Sequence, residues 1–167
     1  MTLQLKSQLT DPVRSGGLPV QVYDELIRYS CEHAKTFNSP PSITEGGDKA
    51  AEVAYFVLRI SKGDVRLRLG ILARKLGLKH RSLVERFRKL YGTTPKDCQI
   101  RLRIEWVCHA IRTYPDRKLS SIAADAGYND TADFNHVFRK YTGLSPREYQ
   151  RKHRCAENSA DLTTAAH

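Results

Sequence analysis

Four cysteines in 167 residues, Cys31, Cys98, Cys108 and Cys155, stand far apart and form no Cys-x-x-Cys pair. That argues against a zinc site or a thioredoxin-like motif, and the density is too low for a disulfide framework. Cys98 and Cys108 lie inside an apolar helical pattern and read as buried free thiols. Long apolar runs are scarce as well. The longest, around AAEVAYFVL, is too short to span a bilayer and contains Glu52. The N-terminal MTLQLKSQLT has no apolar core of the kind a secretory signal needs. No nucleophile and base pair, paired carboxylates, glycine-rich phosphate loop or metal-ligand constellation stands out, so no catalysis, cofactor or metal is expected. These absences describe a reduced, soluble, cytoplasmic protein with no membrane partner.

What is present is positive charge in one block. The chain carries a formal +10 with a pI near 9.6, and 40% hydrophobic residues are enough for packed cores. Counting along the sequence gives 21 Lys/Arg against 9 Asp/Glu between Asp64 and Arg154, with near-neutral segments on either side. A basic block of that kind suits a polyanion surface, or simply a solvated basic face.

Inside this block a pattern occurs twice. GLKHRSLVERFRKLYGTTPKDCQ at 77–99 is matched by GYNDTADFNHVFRKYTGLSPREYQ at 127–150. Leu72 falls on Ile122, Ala73 on Ala123 and Gly77 on Gly127. One extra residue then enters the second turn, after which Leu83 falls on Phe134, Phe87 on Phe138, Gly92 on Gly143 and Pro95 on Pro146. Leu69, Leu72, Ala73 and Leu76, like Leu119, Ile122, Ala123 and Ala126, are spaced i, i+3, i+4, i+7 and predict one helix in each copy. A glycine ends it. A second helix follows, with Leu83, Phe87 and Leu90 inward in the first copy and Phe134, Val137, Phe138 and Tyr141 in the second. Asn129 or Asp130 is the N-cap expected for the latter. Ser145, Pro146 and Glu148 make a capping box for a further helix, with Thr94, Pro95 and Asp97 as its weaker copy.

Helix, short glycine-containing turn and helix is either an ordinary helical hairpin or a helix-turn-helix, whose second helix can enter a major groove. The basic block and the Arg-, Asn-, Thr- and His-rich second helices favour the helix-turn-helix. PKDCQIRLRIEWVCHAIR connects the copies. Ile100, Ile104, Val107, Cys108 and Ile111 form one stripe, and Leu102, Trp106 and Ala110 another, so this helix should be packed on two sides. From Pro95 to Ile111 it would be about 25 Å long, a strut able to hold two reading helices in successive major-groove turns roughly 34 Å apart.

Residues from about 48 to 153 resemble the DNA-binding domain of AraC/XylS-type transcription regulators. LSSIAADAGYNDTADFNHVFRKYTGLSPREYQ is similar to that family's signature and RLRIEWVCHAI to its linker helix. The resemblance implies an all-α fold of two helix-turn-helix subdomains, about 67–91 and 119–142, joined by a linker helix at about 95–111. It also implies a bacterial, nucleoid-associated regulator, more often an activator, that binds double-stranded promoter or operator DNA and touches RNA polymerase. Base-facing positions carried over by the resemblance are Arg81, Val84 and Glu85 in the first unit and Thr131, Ala132, Asn135 and His136 in the second.

The chemistry of these side chains supports several of the assignments. Arg81 can grip a guanine edge, Asn135 can pair an adenine, and Val84 either meets a thymine methyl or rims the core. Glu85 either accepts from a cytosine amine or orients Arg81. His136 can donate to a base or a phosphate. Lys79, Arg88, Arg101, Arg139, Lys140 and Arg147 suit phosphates, which position a protein without reading sequence; each reads equally as a solvated charge. Lys79 stands where many relatives place a Ser N-cap. Phe87, Phe134, Phe138, Tyr128 and Trp106 read as core.

DKAAEVAYFVLRISKG supplies a first helix with Ala51, Ala54, Tyr55 and Leu58 inward. Residues 1–47 read as a helical extension, with Val22, Leu26, Ile27, Tyr29 and Ser30 in helical spacing, followed by the linker NSPPSITEGG. They are too few and too helical for a sugar-binding β-domain. The extension is expected to pack on the domain or to mediate self-association through residues 19–37, and the tail 154–167 to be disordered. Two rivals to the regulator remain. A DNA-repair methyl acceptor would need a cysteine metal cluster upstream, where Cys31 stands alone. A protein-interaction anti-activator with weak DNA binding is favoured by Glu85 and Asp133.

Overall fold

The computed structural model describes residues 18–33 and 48–154, and every regular element among them is helical. The proposed linker at 38–47, the tail from Cys155 and residues 34–37 of the proposed self-association segment lie outside the described residues. In chain order the helices are α1 (Val20–His33), α2 (Lys49–Ile60), α3 (Leu69–Lys75), α4 (His80–Tyr91), α5 (Pro95–Thr113), α6 (Leu119–Asp125) and α7 (Thr131–Thr142). A last helix, α8, runs from 146 to 154. The chain divides into two compact units, with the boundary inside α5 after Leu102.

In the first unit, α1 packs on α2 and α3, and α4 packs on α2 and α3. Leu72 and Ala73 of α3, with Leu83 and Phe87 of α4, are buried as their 3.6-residue spacing requires. α2 is covered more completely than one stripe would demand. Ala51 and the whole run from Val53 to Leu58 are buried, because α1 and α4 both lie on it. The extension is part of this core: Val22, Tyr23, Leu26 and Ser30 are buried, while Ile27 and Tyr29 are only half-buried. Tyr55 stacks on Tyr91 at 4.7 Å and lies 6.4 Å from Phe87. Burying an apolar side chain such as Val22 or Leu26 contributes about 1.5–3 kcal/mol, so α1 belongs to the unit's stability and is not an appendage.

Polar bonds fix α1 more sharply. The Tyr23 hydroxyl accepts from the Arg68 N–H at 2.7 Å, at the N-cap position of α3, where no side chain of the cap residue itself bonds. Lys75 pairs with Asp24 at 2.6 Å, and Leu18 N donates to Arg66 O.

The second unit repeats the scheme with α6 against α7. Ile122, Ala123, Ala126, Phe134 and Phe138 form its interior together with Ile104, Val107, Cys108, Ala110 and Ile111 of α5. Phe134 lies 5.3 Å from Tyr128 and 5.7 Å from Phe138, which meets Tyr149 edge-on at 5.5 Å.

The turns are copies of one another. Gly77 donates to Arg74 O and Leu78 to Ala73 O; Gly127 donates to Ala124 O and Tyr128 to Ala123 O. This is the Schellman arrangement, with Gly77 at φ 71 and Gly127 at φ 78. A Cβ on Gly77 would meet nothing within 4 Å, so the backbone angle, and not space, demands glycine there. In each copy a glutamine instead holds the loop that precedes the first helix. Gln99 Nε2 donates to Asp64 O at 2.6 Å and Leu67 O at 2.9 Å; Gln150 Nε2 donates to Pro115 O at 2.8 Å and Arg117 O at 3.0 Å.

Helix α5 departs from its sequence pattern in an informative way. Ile100, Leu102 and Trp106 are half-buried, whereas Gln99 and Arg103 are buried. Gln99 is occupied by loop carbonyls. The Arg103 guanidinium lies over the Tyr128 ring at 5.5 Å, a cation–π contact that binds α5 to the turn of the second unit. Burial raises the Tyr128 pKa, and the adjacent Arg103 charge opposes that rise.

Candidate nucleic-acid interface

The second helix of each unit buries one stripe and shows another to solvent. On α4 the outward stripe is Arg81, Val84, Glu85 and Arg88, at i, i+3, i+4 and i+7; Val84 is half-buried and the others are exposed. On α7 the corresponding stripe is Ala132, Asn135, His136 and Arg139, all exposed, with Thr131 exposed beside it. The inward residues Leu83 and Phe87, or Phe134 and Phe138, are what turn these stripes outward.

The two helices start differently. The α7 N-cap Asp130 accepts from Ala132 N at 2.8 Å, which decides between it and Asn129. Lys79, the N-cap of α4, makes no capping side-chain bond and is exposed. One residue into α4, Arg81 Nε donates to Glu85 Oε1 at 3.0 Å, so two of the three charged members of the first stripe are paired with each other.

In the second unit the side chains surround a concavity of about 580 Å³. Thr131, Asn135, His136 and Arg139 line it from α7, Arg147 with Ser145 and Pro146 from the start of α8, and Ser120 from the first turn of α6. Ala132 and Lys140 do not line it, and Lys140 instead lies 5.7 Å over the Tyr141 ring. Lys79, Arg88 and Arg101 are exposed on the first unit. Ser120 was not singled out from the sequence. Its signal was available: a hydroxyl in the first turn of the first helix, where the other copy has Gly70.

The rim of this concavity is rigid on the α8 side. Ser145 N and Oγ donate to Glu148 Oε2 at 2.8 and 2.7 Å, and Glu148 N donates back to Ser145 Oγ at 3.3 Å. These bonds to Ser145, and then the charges of Arg139 and Arg151, hold the Glu148 carboxyl below its usual range. At the start of α5, Asp97 N donates to Thr94 Oγ1 at 3.1 Å and the Thr94 hydroxyl donates to Asp97 Oδ2 at 2.6 Å. The concavity therefore presents two guanidinium groups, hydroxyls, an amide and a helix N-terminus on one surface. That donor set suits a phosphate backbone beside base edges.

A family model described as a helix-turn-helix domain matches residues 72–152. That match spans just under half of the chain and supports an AraC/XylS-type regulator. The chain is 32% identical over 95 residues to the MmsAB operon regulatory protein of Pseudomonas aeruginosa, a match covering 57% of this chain and 31% of that one. It is 30% identical over 77 residues to the transcriptional activator RhaS of Mannheimia succiniciproducens, covering 46% of this chain and 28% of that one. The chain thus spans under a third of the length of either relative. In fold it matches the C-terminal domain of AraT, a response regulator from Geobacillus stearothermophilus, with a TM-score of 0.57 at 19% identity over 65% of this chain and 88% of that one. The helix-turn-helix match covers α4 to α7 entirely, so both outward stripes fall within it.

Proposed function

We propose that this AraC/XylS-type chain is a sequence-specific, double-stranded DNA-binding transcription regulator that acts as an activator. Its α4 and α7 enter successive turns of the major groove. The observation that carries the proposal is the repeated stripe within the basic block: the same four outward positions in both copies hold three side chains able to meet base edges and one arginine suited to a phosphate. Arg81, Val84, Glu85, Thr131, Ala132, Asn135 and His136 read base edges, and Lys79, Arg88, Arg101, Arg139, Lys140 and Arg147 neutralise phosphates. The operon-regulatory and activator titles of the two bacterial relatives support the regulatory role, its direction and a bacterial setting. RNA polymerase is the proposed protein partner. Contact with a second copy through residues 19–37 would use the exposed face of α1, Gln21, Asp24, Arg28 and Glu32, since the apolar face is buried in the unit.

Replacing Arg81 or Asn135 by Ala is the test. Each should weaken binding to a cognate duplex by roughly 5- to 150-fold, the effect of about 1–3 kcal/mol per base contact. The second reading is a protein-interaction anti-activator, favoured by Glu85 within the first stripe. Equal, weak affinity of both variants and the parent for every duplex would establish that reading instead.

A further inference from the structure

The ion pairs of the first unit do different jobs. Lys75 with Asp24 ties α3 to α1, and Arg86 Nη1 with Asp48 Oδ2, 3.3 Å apart, ties α4 to the start of α2. Arg81 with Glu85 ties α4 only to itself, and their side chains are 90% and 63% exposed. A pair that exposed, one turn apart on one helix, contributes little to folding. It spans instead the first two turns of the outward stripe. In the second copy the corresponding positions hold Ala132 and His136, so the charged pair belongs to one unit alone.

We infer that Arg81 and Glu85 act as one reading unit, which makes the first helix-turn-helix select a G·C-anchored box while the second reads adenine and thymine edges. The inference rests on the DNA-binding reading above. The guanidinium presents five N–H donors in a fixed fork. The bond to Glu85 uses Nε–H, which leaves the edge formed by Nη1 and Nη2 to meet guanine O6 and N7. Glu85 holds the fork in place before binding, so less side-chain freedom is lost on the DNA. Its carboxylate can only accept. The second oxygen suits the N4 amine of cytosine and repels the acceptor edges of thymine and guanine. Four residues of helix advance about 6 Å, under two base-pair steps, so guanine and cytosine should lie within about two pairs of each other. The second unit has no such charge filter. Asn135 pairs adenine and the Ala132 methyl meets thymine.

The experiment is selection and sequencing from a random duplex pool with the full chain and the variants Glu85→Ala, Arg81→Ala and Asn135→Ala, each checked for helical content. The parent should enrich two boxes, and Asn135→Ala should identify the second by altering it. Glu85→Ala should keep the guanine and lose the neighbouring cytosine preference, about tenfold in discrimination. Arg81→Ala should lose the guanine, and neither should change the second box. An unchanged first box in Glu85→Ala, or a guanine that survives Arg81→Ala, overturns this inference while leaving DNA reading intact. A parent that enriches nothing overturns DNA reading and the inference with it.

Discussion

Ser145 and Glu148 show how two small residues set an edge of the interface. Their reciprocal bonds satisfy backbone donors at the start of α8 and place Arg147 beside Arg139. Removing the hydroxyl with Ser145→Ala should cost about 1 kcal/mol in chemical unfolding, the usual value of an N-cap. Glu148 adds a pH dependence of definite sign. Its carboxyl titrates lower in the folded chain, so its stabilisation is complete above the unfolded-state pKa and fades as pH falls through the folded one. Glu148→Gln should therefore melt below the parent at pH 7, and the difference should vanish in strong acid; a gap that persists there would contradict the assignment. This capping box was legible in the sequence because its residue types and spacing are local. Gln99 and Arg103 were not. Both interrupt the apolar stripes of α5, and what buries them lies far along the chain: carbonyls 35 and 32 residues away for Gln99, the Tyr128 ring for Arg103. No periodicity encodes such partners.

At the scale of the element, each unit is a helix, a glycine turn and a helix, with a glutamine holding the loop that leads into the first helix. Gln99 is buried and holds two carbonyls, so Gln99→Ala should destabilise the first unit by about 1–3 kcal/mol, as unsatisfied buried acceptors do. Gln150→Ala, at a half-buried position, should cost less; thermal unfolding of the two variants measures the order. Tyr23 takes a comparable place for α3. Tyr23→Phe leaves the Arg68 N–H without its acceptor and should cost about 1 kcal/mol, and a neutral result would mean that water replaces the hydroxyl. The helices of both copies were readable because glycine, proline and i, i+3, i+4 stripes mark their ends and faces. The depth of α2 and the role of Tyr23 were not, since both depend on α1 folding back from an upstream segment onto α2 and α3. The outward stripes of the candidate interface were legible for the same reason as the core: once Phe87 and Phe138 are inward, the opposite positions are fixed. The concavity was not, because Ser120 and Arg147 reach it from other helices.

For the whole molecule, charge and repetition point to the same activity. The basic block that contains both stripes should bind duplex DNA with a steep salt dependence, each neutralised phosphate adding roughly 0.9 to the slope of log K against log salt. Arg139→Ala or Arg147→Ala should lower that slope by about 1 and weaken all sequences alike, whereas Asn135→Ala should change sequence preference at nearly constant slope. Titrations at several salt concentrations separate the two classes. The most direct test of the central claim is selection of duplexes by the purified chain from a random pool, with affinity for the winners followed against salt. Two unlike boxes about one helical turn apart, recovered as an asymmetric site, are the predicted result. Recovery of no preferred sequence, with only weak salt-sensitive binding, would contradict it.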